Sequence, residues 1–241
     1  MEVDPVIGLL GVAIAVVASV YSGKIDRPGG ITGGLITCIL FWGGGWLGVS
    51  LIGVFFVLGT LASRWKQRQK TVWGVAEERS GQRGWRNVVA NAGVAGGIAL
   101  AIVINPSFAS TGRLLMAACF AAALSDTWSS EFGNVYGSRY YHVLSGKKDQ
   151  RGRDGVVSVE GSLAGLLGSG VIACLFGLWE GVGFRIGVVL LAGLFGNLVD
   201  SLLGATLERK GVIGNHTVNF SNTLMAALLA YFLVKSGSIN S

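Results

Sequence analysis

The stretch Ala122-Ala-Leu-Ser-Asp126-Thr-Trp-Ser-Ser-Glu131-Phe-Gly133 closes an apolar run and sets two carboxylates near its end. A second stretch, Asn197-Leu-Val-Asp200-Ser-Leu-Leu-Gly204-Ala-Thr-Leu-Glu208, repeats the order: an Asp, a hydroxyl side chain, small and apolar residues, then a Glu. Each sits at the end of a segment of membrane length. Acidic side chains in such segments are costly to place and by default mark a functional site. The two stretches read as a weak internal repeat around 112–133 and 184–208, inside a single integral-membrane domain covering 1–241.

The rest of the composition agrees with a membrane setting. The chain is 51% hydrophobic and 13% charged, with a mean hydropathy of +0.59. A soluble domain carries about 25% charged residues. The expected fold is therefore an all-α, polytopic membrane helix bundle of about eight transmembrane helices. Its 39 glycines against 3 prolines suit close helix–helix approach through small faces. The net charge of +6 is concentrated in loops and is no footprint for nucleic acid. Cys38, Cys119 and Cys174 lie in apolar runs without paired spacing and read as small core residues.

Taken in order, the apolar runs predict helices at 5–21, near 30–43 and 46–63, and then at 87–104, 112–132, 159–178, 184–206 and 217–234. Gly43-Gly-Gly45 marks the break between the second and third, and Asn105-Pro106-Ser107 is a turn signal. Glu2 and Asp4 precede the first run, and Lys24 and Arg27 follow it. That is the reverse of a secretory signal, so a retained helix with its N-terminus outside is expected. This map puts all Lys and Arg except Arg113, Arg185 and Lys235 into loops on one side. By the positive-inside rule that side is cytoplasmic. It includes two large basic loops, 64–86 and 134–158. Glu77 and Glu78 in the first read as solvated, and His142 and His216 as surface residues.

Both acidic stretches then end at the cytoplasmic face. Asn87 and Asn91 start the fourth helix there on one helical face, and Asn215, Asn219 and Asn222 start the last helix in the same way. Carboxylates from two helices under basic loops suit Mg²⁺ and phosphates, because Mg²⁺ takes hard oxygen ligands, usually one or two carboxylates with substrate phosphates and water. Asp126 and Asp200 are the first candidates as metal ligands and catalytic groups, with Glu131 next. Arg83, Arg86, Lys148, Arg151 and Arg153 are candidates to offset phosphate charge. The Asn clusters would orient phosphate or sugar oxygens, or serve as helix caps. The glycine-spaced run Gly146-Lys-Lys-Asp-Gln-Arg-Gly152-Arg-Asp-Gly155-Val-Val-Ser158 offers backbone N–H groups to an anion, although it lacks the Gly-Lys-Ser/Thr of a Walker loop. Glu208 lies beyond the second span, and its position does not decide between the site and a structural role.

Five pieces together carry a resemblance: Gly84-Trp-Arg-Asn87-Val-Val-Ala-Asn91, Asp126-Thr-Trp-Ser-Ser-Glu131-Phe-Gly, Gly155-Val-Val-Ser158-Val-Glu-Gly161, Asp200-Ser-Leu-Leu-Gly-Ala-Thr, and Val218-Asn219-Phe. The ordered set is similar to one integral-membrane family, that of the phytyl-phosphate kinases of tocopherol synthesis and transmembrane protein 19. The resemblance implies phosphorylation of an isoprenoid monophosphate to its diphosphate, using CTP or another nucleoside triphosphate, on a prenyl-phosphate lipid at the cytoplasmic leaflet. Two other readings stay open on the residues alone. A membrane nucleotidyltransferase making a nucleoside-diphosphate lipid would need the same metal and basic groups. A small-ion or anion transporter would also carry paired Asp motifs in two halves, although at the midplane.

Overall fold

The computed structural model describes residues 5–76 and 82–237. Glu77, Glu78 and Arg79 lie outside the described residues. The chain is a helical bundle: α1 (Pro5–Tyr21), α2 (Arg27–Arg64), α3 (Gln67–Val72), α4 (Trp85–Ile104), α5 (Ala109–Tyr136), α6 (Val159–Glu180), α7 (Phe184–Leu203) and α8 (Asn215–Gly237). Two two-residue strands, β1 (Tyr141–His142) and β2 (Val156–Val157), pair antiparallel in the loop between α5 and α6. Among the described residues six helices are long and apolar enough to cross a membrane, and α1 is a shorter apolar helix.

Helix α2 is two helices in one. Asp26 caps its start, accepting from the Gly29 N–H at 2.7 Å, and Pro28 stands in the first turn, where its missing N–H costs nothing. The chain reverses at Gly45, whose φ of 62° and ψ of −150° suit only a residue without a Cβ. The reversal is plain from the packing. Gly29 and Gly59 both lie against Arg83, whereas a straight helix would separate them by about 45 Å. Each half is thus on the order of 27 Å long, about a bilayer's hydrocarbon thickness. The break expected at Gly43-Gly-Gly45 is therefore observed, and the helices expected at 30–43 and 46–63 are the two arms of one hairpin.

Helix α5 is the axis. Every residue from Leu114 to Ser125 is buried, and α2, α4, α6, α7 and α8 all pack on it. A helix apolar on all sides belongs inside a bundle, and five alanines in this run let its neighbours come close. The approach is closest to α6, where a Cβ on Gly133 would meet the Gly161 Cα at 3.1 Å and one on Gly168 would meet the Leu124 carbonyl at 2.9 Å. Large apolar side chains on the periphery, such as Leu10, Ile14, Leu35, Val57, Leu163 and Phe232, are exposed, as a lipid-facing surface requires. Cys119 is buried, but Cys174 is exposed on the outside of α6, not in the core as expected. All three cysteines are free.

The ends of the bundle differ. At one end Arg113 of α5 pairs with Glu180 of α6 at 2.6 Å, and Arg185 of α7 donates to the Ser110 hydroxyl at 3.0 Å. At the other end α5 runs on past the expected 132 to Tyr136. Helix α7 passes into one turn of π-helix, Gly204–Glu208, where a plain continuation to 206 was expected. Such turns are rare and recur at functional sites.

Glycine at the α2 reversal is a packing requirement as well as a conformational one. A Cβ on Gly43 would collide with the Ala99 backbone of α4, whereas one on Gly53 meets nothing within 4 Å. Gly43→Leu is expected to cost on the order of 2–3 kcal/mol through overpacking, read as a lower melting temperature in detergent. Gly53→Ala is expected to leave it unchanged or raised.

Candidate active site

The C-terminal ends of α5 and α7, the N-terminal ends of α4 and α8, and the segment 152–158 enclose a cavity of about 200 Å³. Asp126 of α5 and Asp200 of α7 line it together. Asn222 of α8, almost fully buried, donates from Nδ2 to Asp200 Oδ2 at 3.5 Å. The π turn after α7 carries Glu208 to the same cavity, and Asp154 reaches it from the loop before α6. Four carboxylates thus line one cavity.

The cationic side is built differently. Arg83 is buried at 7% exposure, with its guanidinium 4.7 Å from the Phe55 ring centre and 5.8 Å from that of Phe56. Its backbone is tied to the turn between α1 and α2, where Arg83 N–H donates to Lys24 O at 3.1 Å and Asp26 N–H donates to Arg83 O at 3.0 Å. Asn87 and Asn91 follow one and two turns up α4, with Asn91 Nδ2 donating to the Asn87 carbonyl at 2.9 Å. Asn215 and Asn219 line the opposite wall from α8. Ser158 caps α6 by accepting from Gly161 N–H at 3.1 Å. That bond fixes the loop's exit just where it lines the cavity.

The loop itself is latched. Arg209, just beyond the π turn, donates to Asp149 Oδ2 at 2.8 Å, and Arg153 pairs with Asp149 at 3.4 Å. Arg209 beside Asp149 holds its carboxyl below the usual carboxylate range. Gly155, with φ of 69°, lies so close to Ala205 that any Cβ would strike its backbone. This contact brings Arg153 and Asp154 over the cavity. Tyr140 lines it too, donating to the Gly137 carbonyl at 2.8 Å. Burial pushes its hydroxyl pKa up, so the group stays protonated.

Of the residues singled out from the sequence, Arg83, Asn87, Asn91, Asp126, Arg153, Ser158, Asp200, Asn215 and Asn219 line this cavity, and Asn222 stands directly behind Asp200. Glu131 does not join them. It is buried at 4% exposure and ion-paired with Lys70 of α3, itself 1% exposed. Lys70 also donates to the Ser63 and Ala62 carbonyls at the end of α2, at 2.5 and 3.2 Å. This glutamate is committed to tying α2, α3 and α5 together, which corrects its reading as a metal ligand. Arg151 also points elsewhere, stacked 4.2 Å from the Trp73 ring centre. Arg86 lies over the ring of Trp85, 5.5 Å from its centre, and Lys148 is exposed in the loop. None of these three lines the cavity. Glu208, left open between the site and a structural role, lines the cavity as well, and so do Asp154, Asn197, Ser201, Asn134 and Tyr140, which were not singled out. The glycines flanking Asp154 were its only sequence signal, and Asn197 sits one helical turn before Asp200.

Comparison with known proteins agrees with the resemblance read from the motifs. The chain belongs to the integral membrane protein family DUF92, whose model matches residues 10–227. It is 33% identical to an uncharacterized membrane protein of Synechocystis, over 92% of this chain and 88% of that one. It is also 33% identical to the chloroplastic protein VTE6 of Arabidopsis thaliana, over 85% of this chain and 64% of that one. An uncharacterized membrane protein of Methanocaldococcus jannaschii is 30% identical over 97% of this chain and 98% of its own. No solved structure matches.

Two outcomes follow from the site's supports. Removing one partner of a buried ion pair costs about 3–5 kcal/mol, and replacing both with apolar residues recovers most of it. Lys70→Met and Glu131→Leu singly are therefore expected to lower the melting temperature sharply, and the double variant to restore it. A Glu131 that served the cavity instead would leave Lys70→Met mild. For the latch, a lowered Asp149 pKa means its stabilisation is fully present above about pH 4, the ordinary Asp value, and is lost as pH falls through the lowered one. Asp149→Asn should speed amide exchange across 143–155 at pH 7, and the difference from the unaltered protein should vanish in acid.

Proposed function

We propose that this protein is a membrane-embedded phosphotransferase that converts an isoprenoid monophosphate to its diphosphate with a nucleoside triphosphate. The observation that carries the reading is the convergence of Asp126 and Asp200, from two separate helices, on one cavity with Arg83 and Arg153 at the membrane-end rim of the bundle. The motif resemblance to the phytyl-phosphate kinases and the identity to VTE6 support the same class. The nearly complete separation of Lys and Arg into the loops around this cavity supports a cytoplasmic placement for it.

The donor set suits Mg²⁺. Two carboxylates within reach of each other, unless they share a proton, repel unless a cation lies between them. Among the described residues no three His, Cys, Asp or Glu side chains form a cage of their own, and Mg²⁺ commonly needs no more than two carboxylates when substrate phosphates complete its shell. Asp126 and Asp200 would hold it, with Asn222 fixing the Asp200 carboxylate. When bound, it would neutralise charge on the phosphates.

The chain's own groups account for the rest. Arg83 sits where it can hold the acceptor phosphate, and its guanidinium matches phosphate geometry in a bidentate way. Arg153 and the N–H groups around Gly155 approach from the loop side, toward the transferred group. Asn87, Asn91, Asn215 and Asn219 offer neutral donors that orient oxygens without adding charge. In the transfer, an oxygen of the acceptor phosphate bonds to the terminal phosphorus of the triphosphate, the bridging P–O bond breaks, and the nucleoside diphosphate leaves. The acceptor oxygen is already ionised, so no strong base is needed. Positioning and charge stabilisation supply the rate.

The test uses purified protein in detergent with Mg²⁺, a panel of nucleoside triphosphates and a panel of prenyl monophosphates, with the lipid product read by mass spectrometry. A prenyl diphosphate with release of nucleoside diphosphate is expected. Asp126→Asn and Asp200→Asn should each lower its formation by at least roughly a hundredfold while the protein still inserts and melts normally. A nucleotide-linked lipid with release of pyrophosphate would assign the nucleotidyltransferase reaction, and full activity in either variant would remove the carboxylates from the mechanism.

A further inference from the structure

A second cavity, of about 330 Å³, lies between α1, the two arms of α2, and α4. Its walls are mostly apolar side chains and glycines, with the hydroxyls of Ser19 and Thr37 among them. Arg83 and Asn87 line both this cavity and the polar one. Arg83 therefore stands at the junction, its guanidinium over the Phe55 ring. At the far end lies Trp46, directly after the reversal at Gly45. Its ring is set edge-on to Phe41 at 5.2 Å, and Gly8 of α1 packs so tightly on it that a Cβ there would meet the ring at 2.6 Å or less.

We infer that this cleft holds the hydrocarbon tail of the isoprenoid monophosphate, with its phosphate on Arg83, and that Trp46 is the floor that sets the longest tail accepted. The inference rests on the proposed function for the identity of the ligand and adds the path of its tail. The occupant follows from the two ends. The mouth offers one buried cation and an amide, which suits a compact anionic head. The body is apolar and only about 330 Å³ in volume, which suits one chain better than the two of a bilayer phospholipid. Its depth follows from α2. Gly59 lies beside the Arg83 guanidinium, and the helix rises about 20 Å from there back to Trp46. An extended chain advances about 1.2 Å per bond, so four bonds per isoprene unit give roughly 5 Å, and the slot takes about four units.

Gly53 supplies the opposing test. It lines the cleft about half-way between Trp46 and Gly59, and a Cβ on it meets nothing within 4 Å. Gly53→Phe therefore fills the slot from open space. Trp46→Ala removes the floor.

The experiment measures binding of prenyl monophosphates of two to seven units to purified protein by native mass spectrometry, without nucleotide or Mg²⁺. The unaltered protein is expected to bind best near four units and to weaken beyond. Trp46→Ala should gain roughly tenfold or more for tails one or two units longer. Gly53→Phe should lose a similar factor for tails beyond two units while still binding the shortest. Should Trp46→Ala fail to fold, the Gly53→Phe profile decides by itself. Identical length profiles in folded Gly53→Phe and unaltered protein would overturn the cleft, as would equal retention of phosphatidic acid. Because no transfer is measured, the two readings fail separately. A shifting profile without any kinase product would leave the cleft standing and remove the kinase. A kinase product whose length range ignores both substitutions would do the reverse.

Discussion

A carboxylate at a membrane depth must be enclosed by protein, and the whole bundle is arranged around meeting that requirement for α5. This helix is buried on every side from Leu114 to Ser125. No lipid therefore touches it as it approaches Asp126. The enclosure is made by five neighbouring helices, and the polar groups that Asp126 meets are those the neighbours bring to their own ends. Asp200 is there because α7 packs on α5, and Asn91 and Asn219 because α4 and α8 do. The polar cavity is thus the natural end of a bundle whose central helix is entirely wrapped.

Small residues make the wrapping tight enough. Gly133, Gly161, Gly165 and Gly168 bring the backbones of α5 and α6 together, leaving room between them only for small side chains such as those of Ser125 and Ser158. The same device docks the loop: Gly155 and Gly204 let the backbone before α6 lie on the π turn after α7. Without a driving force from water, packing of this kind is what holds membrane helices together. The ion pair of Lys70 with Glu131 adds a polar clamp at the same end, where Lys70 also donates to the Ala62 and Ser63 carbonyls in the last turn of α2.

Much of this was legible in the sequence, and what was not has a geometric cause. The apolar runs and the Gly43-Gly-Gly45 break gave the helices because length and apolarity survive any packing. The meeting of Asp126 with Asp200 was legible because the distribution of Lys and Arg put both helix ends on one side. Glu131 misled because the two acidic stretches look alike in order but not in spacing. Five residues on an α-helix turn a side chain about 140° away from Asp126, so Glu131 had to face another partner, Lys70. Eight residues of plain α-helix would leave Glu208 about 80° from the face of Asp200, and the wider π turn closes part of that angle, so Glu208 lines the cavity instead. Arg151 and Lys148 were chosen by charge and by loop membership. Neither says which way a side chain points, and Arg151 found two aromatic rings.

Arg83 joins these levels. Its backbone is pinned to the α1–α2 turn, its guanidinium is held between aromatic rings and the polar cavity, and it closes the end of the apolar cleft. A buried cation is costly unless it meets an anion or polar partners, and aromatic faces meet only part of that cost. A phosphate arriving at this point would add to the partners of that cation, and its hydrocarbon chain would have the apolar cleft behind it. Because Arg83 also lines the cavity of Asp126 and Asp200, a phosphate held there would lie between those carboxylates and its own tail. An amphipathic ligand held this way presents its phosphate to the acidic cavity and its chain to the membrane interior, so the geometry around one arginine orders both halves of the molecule at once.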